Sequence, residues 1–125
     1  MAFEEEVLDV SFKANADLSS YQFYVVKMAA DNTVDVCSGA TDKPIGILQN
    51  KPTSGQIARV RVMGVSRFII GAGGVAYGNR VGTAATGKGI VKSTNKDMYF
   101  GIALAAGNAD EIGTVLLYPV RSLSA

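Results

Sequence analysis

Two glycine-rich stretches carry the spacing of nucleotide-binding loops. Gly82-Thr83-Ala84-Ala85-Thr86-Gly87-Lys88-Gly89 has the glycine and lysine positions of a phosphate cradle, in which backbone amides hold phosphates and a Ser or Thr after the lysine holds magnesium. Gly89 stands where that hydroxyl is needed, and Ile90-Val91 favours a strand where the cradle needs a helix. Phe68-Ile69-Ile70-Gly71-Ala72-Gly73-Gly74-Val75-Ala76 reads as a strand entering a dinucleotide fingerprint. That fingerprint works only when a helix starts at the glycines, because the pyrophosphate sits on the helix N-terminus. Gly78 and Gly82 follow instead, and each glycine costs a helix roughly 0.5–1 kcal/mol relative to alanine. Both stretches read as glycines in β-turns and tight strand entries.

The remaining chemistry is sparse. The chain has no histidine, which removes the commonest general base and metal ligand together with any ordinary Ser-His or Cys-His pair. Asp9, Asp17, Asp31, Asp35, Asp42, Asp97, Asp110 and Glu111 are scattered through turns and the N-terminal segment, and only Asp110 and Glu111 are adjacent. No group has zinc or calcium spacing. The single cysteine, Cys37, lies in the strand-like run Val34-Asp35-Val36-Cys37 and reads as a small buried residue. No enzyme activity, cofactor or metal is expected. The 12 basic and 11 acidic residues leave a net charge of +1 and are dispersed, with no basic groove interleaved with aromatics, so no nucleic-acid partner is expected. No apolar stretch approaches the ~20 residues that span a bilayer, and the acidic Glu4-Glu5-Glu6 replaces the basic start of a secretory signal. No membrane partner is expected, and the protein is expected to be made and kept in a cytosol or released by lysis.

The elements that position these residues are strands. Gly46-Ile47 in Pro44-Ile45-Gly46-Ile47-Leu48-Gln49 returns 55 residues later as Gly101-Ile102 in Phe100-Gly101-Ile102-Ala103-Leu104. The register holds: Ile57, Val60, Val62 and Val65 map onto Ile112, Val115, Leu117 and Val120. Residues 57–65 read as an alternating strand with Ala58, Val60 and Val62 on one face and Arg59 and Arg61 on the other. Short strands with turn signals between them recur along the chain, without convincing helical periodicity anywhere. The expected fold is all-β, a compact barrel or sandwich built from two related units at about residues 21–65 and 76–120 of a single domain spanning 21–125. Residues 1–20 are expected to form an extended N-terminal arm. At 125 residues the two units must share a core to be stable.

Ala16-Asp17-Leu18-Ser19-Ser20-Tyr21-Gln22-Phe23-Tyr24-Val25-Val26, then Pro44-Ile45-Gly46-Ile47-Leu48-Gln49-Asn50-Lys51-Pro52 with Gly55, resemble the capsid cement or head-decoration proteins of tailed bacteriophages. Gly73-Gly74-Val75-Ala76-Tyr77-Gly78-Asn79-Arg80-Val81 and Phe100-Gly101-Ile102-Ala103-Leu104 continue the resemblance, which covers the chain from about residue 14 onward. It implies a β-rich, non-enzymatic virion protein that binds the exterior of an assembled shell through the major capsid protein and is usually oligomeric. A homotrimer is expected, since threefold capsid sites suit a trimeric clamp. The rival reading is a β-barrel adaptor or base for another phage fibre or tail component.

Contact residues follow from the repeat. Arg59 and Arg61 are expected on the outward face of their strand, meeting acidic groups on a capsid or neighbour. Their counterparts are Thr114 and Leu116, with Tyr118 extending the face, so Leu116 and Tyr118 are expected at an oligomer interface. In the arm, Leu8, Val10 and Phe12 alternate with polar residues and are expected to add as a strand to a neighbour, with Glu4, Glu5 and Glu6 at the tip.

Overall fold

Runs of β-branched and aromatic residues, broken by Gly, Asn, Asp and Pro, become strands in the computed structural model. It describes residues 5–39, 42–93 and 98–122, so the tip at Glu4 lies outside the described residues. Among the described residues there are nine strands and no helix: β1 (Glu5–Ala14), β2 (Val25–Ala30), β3 (Thr33–Val36), β4 (Pro44–Leu48), β5 (Ile57–Ile69), β6 (Arg80–Thr83), β7 (Gly89–Val91), β8 (Met98–Ala103) and β9 (Ile112–Ser122).

The first five strands close on themselves in the order β1-β3-β2-β4-β5, with β5 returning to β1. β1 runs antiparallel to β5, placing Val10 opposite Val60 and Phe12 opposite Ala58, and meets β3 in parallel at Lys13 and Ala14. Closure leaves fewer open edges to pair with other chains. The period-two alternation of β5 turns Ala58 and Val60 into a core with Ala14, Leu18, Val26, Val34 and Leu48.

β5 then passes through Gly64, whose φ of +111° is accessible to glycine and strained for other residues. Residues 64–69 pair with β9, β9 with β8, β8 with β6, and β6 with β7. A parallel bridge between Ile70 and Gly89 joins the ends of this second barrel. One long strand therefore serves two barrels.

The barrels are copies down to individual hydrogen bonds. Ile47 opposite Arg61 recurs as Ile102 opposite Leu116, and Leu48 opposite Val60 as Ala103 opposite Val115. The Phe23 N–H donates to the Leu48 carbonyl at 2.8 Å, and the Gly78 N–H donates to that of Ala103 at 2.7 Å. Gly46 and Gly101 are glycines for one reason: a Cβ at either would overlap the carbonyl of the facing strand, at Arg61 or Leu116.

Here the structure corrects the expected arm. β1 is not a free strand outside the duplicated units but a wall of the first barrel, and its counterpart is the far half of β5. Phe12 opposite Ala58 recurs as Phe68 opposite Gly113, and the parallel contact of Ala14 with Val34 recurs as that of Ile70 with Gly89. The reason is burial: unpaired, β1 would leave one side of the first core open to water.

The second core is filled differently. Gly89 and Gly113 stand where the first barrel has Val34 and Ala58, and a Cβ on either would strike the Phe68 ring. Phe68 occupies that space fully buried, with Ile70, Phe100, Val115 and Leu117 around it. Burying one such ring stabilises the fold by about 1.5–3 kcal/mol. The same cluster includes Val25, Cys37 and Ile47, which lie on strands of the first barrel or just beyond them, so the two barrels share apolar contact along their junction.

Candidate interaction surface

In register across the first barrel lie Asp9, Arg61, Ile47 and Val25, one residue each from β1, β5, β4 and β2. The row is buried. Arg61 Nε donates to Asp9 Oδ1 at 2.8 Å and Nη2 to Oδ2 at 3.2 Å, while Nη1 reaches the Val65 carbonyl at 3.0 Å. Such a fork holds a carboxylate in a fixed plane. Arg59 adds a second contact to Asp9 at 3.3 Å, with its own side chain 54% exposed.

This corrects the expectation for Arg61. It does point away from the first core, but the second barrel covers it, and at 5% exposure it meets Asp9 rather than a capsid or neighbour. Arg59 is exposed and already shares that carboxylate.

The equivalent row of the second barrel is Val65, Leu116, Ile102 and Arg80, again in register across β5, β9, β8 and β6. Among the described residues, nothing covers it as the second barrel covers the first row. Leu116 is 41% exposed, Arg80 is exposed, and Val65 and Ile102 are half-buried. Tyr118 is half-buried on the same strand and packs edge-to-face on Tyr99, ring centres 5.8 Å apart. The Arg80 guanidinium lies 5.5 Å from the Tyr99 ring centre. The structure thus brings Leu116 and Tyr118 onto one surface with residues the sequence reading did not single out.

The arm residues separate. Phe12 packs against the first core and Val10 is half-buried opposite Val60, whereas Leu8 is exposed beside the exposed Met63, with Val7 next to it. The strand-addition role expected for Val10 and Phe12 does not fit this placement, because their own barrel already holds them.

The glycine stretches are turns. Gly82 lies within β6 and Gly89 begins β7, with Gly87 at φ +76° between them, so the imitation cradle is a hairpin. Among the described residues, no three acidic, Cys or His side chains group as a metal site. Burial pushes the Cys37 thiol up to about 12, far from a reactive thiolate. The backbone N–H of Ser38, with Lys27, holds the Asp42 carboxyl below its ordinary range, and Asp42 in turn raises Lys27; the pair ties the loop after β3 to β2 at 3.0 Å. An open groove of about 650 Å³ beside it is lined by Tyr21, Tyr24, Asp35, Cys37 and Lys88.

The double barrel presents a partly apolar face and, among the described residues, no group of metal-ligating side chains. Residues 2–118 match the family described as phage cement protein, and the chain belongs to that family of structural virion proteins. Among solved structures it is similar to the N-terminal base of the head fibre protein gp8.5 of bacteriophage phi29, at 14% identity and a TM-score of 0.65, covering 88% of this chain and 92% of that one. A comparison with curated sequences gives no match. The all-β expectation and the cement-family resemblance both hold.

Proposed function

We propose that this cement protein binds the outer surface of an assembled phage shell, contacts the major capsid protein, and reinforces the shell as a homotrimer without catalysing any reaction. Membership of the cement family carries this reading. The physical basis is mass action: a ligand that binds the assembled shell and not its separated subunits shifts the equilibrium towards assembly. Exposed Val7, Leu8 and Met63 form one apolar site suited to a capsid contact, and Leu116 with Tyr118 forms another suited to self-association. Val10, Phe12 and Arg61 take no part in the capsid contact, β1 being paired within its own barrel and Arg61 with Asp9.

The likeness to a head fibre base favours a second reading, in which the protein seats another virion component. Copy number separates the two. Mixing the purified protein with expanded, undecorated shells of its phage and counting bound copies after sedimentation is expected to give many per shell. A few copies would favour the adaptor, and no binding would contradict both.

A further inference from the structure

The repeat leaves each barrel with one face that its twin has covered, and the two uncovered faces are complementary by construction. At the internal junction, the second barrel contributes Phe68, Phe100 and Leu117, buried in one cluster with Val25 and Ile47, and Thr83, buried and hydrogen-bonded to Cys37 just after β3. The counterparts of those four in the first barrel are Phe12, Met28, Ile45 and Val62, and every one is less buried: Thr83 is 1% exposed and Met28 43%. The counterparts of the covered Arg61, Ile47 and Val25 are Leu116, Ile102 and Arg80, likewise less buried, and Val65 stands in the place of Asp9. One end of the molecule therefore presents what a first barrel offers to a second, and the other end presents what a second barrel offers to a first.

We infer that one copy's second barrel docks on the next copy's first barrel, repeating between chains the junction that exists within the chain. The occupant of the face at Leu116 is a second copy of this protein, entering with its surface around Met28 and Ile45. The argument rests on continuity with the internal junction. In the first barrel the same row is sealed by an apolar partner, and Arg61 there is paired with Asp9. In the second barrel Leu116 and Val65 replace that charge pair, so the open row can be covered without burying an unpaired carboxylate. The contact is heterologous, joining unlike faces, and must either close into a ring or continue as a filament. This deepens the self-association in the proposed function, while its test needs no capsid.

Leu116→Asp breaks one face and Met28→Glu the other. By light scattering at high protein concentration, wild type is expected at a multiple of the monomer mass and each variant alone at the monomer mass. A mixture of the two is expected to form a one-to-one dimer and nothing larger, since the intact Leu116 face of one variant meets the intact Met28 face of the other. Arg80→Glu replaces Leu116→Asp if circular dichroism shows that variant unfolded. Monomeric wild type, or variants that keep the wild-type mass, would overturn the inference. A mixture that stays monomeric would overturn the head-to-tail arrangement. Shell binding, assayed separately, decides the cement reading whatever the masses show.

Discussion

Asp9 has two arginines on one carboxylate and almost no exposure, and its second-barrel counterpart is Val65. Removing one partner of a buried pair strands a charge, which typically costs about 3–5 kcal/mol, whereas replacing both by apolar groups is often close to neutral. Asp9→Ala is therefore expected to destabilise by about that amount in urea unfolding. The double change Asp9→Val with Arg61→Leu, which installs the pair already present at Val65 and Leu116, is expected to recover more than half of the loss. Equal losses in the two variants would show that the ion pair is not the origin of the effect. At this scale the sequence misleads for a definite reason: alternation shows that Arg61 faces away from the first core, but cannot show that a second barrel lies beyond it. Cys37 reads correctly as a small buried residue, although its burial also comes from the cluster that the two barrels share.

Among the elements, β1 and β5 carry the lesson. The repeat is visible in the sequence because Gly46 and Gly101 are each forced by a facing carbonyl, which fixes matching positions in both halves. The counterpart of β1 stays hidden because it is not a separate strand. It is the continuation of β5 past Gly64, and its offset is 56 residues rather than 55, so a search at constant register passes over it. Deleting residues 1–13 is accordingly expected to open the first barrel rather than leave a folded core, exposing Val26, Val34 and Val60. Several kcal/mol of lost burial is a large share of the ~5–15 kcal/mol of a typical domain. Loss of the cooperative thermal transition, together with binding of a hydrophobic dye, is the expected result. A truncated chain that melts cooperatively at the wild-type temperature would contradict the placement of β1.

Over the whole molecule, two barrels that share a strand and an apolar junction have no linker about which to bend. A continuous strand through both barrels is consistent with the proposed shell binding, in which a pre-organised binder loses little conformational freedom. Shell reinforcement is the central claim, and thermal disruption of undecorated shells measures it most directly, followed by light scattering across a series of protein concentrations. Stabilisation by mass action predicts a disruption temperature that rises with the logarithm of free protein once sites begin to fill. A disruption temperature that stays constant while the protein is bound would contradict the account.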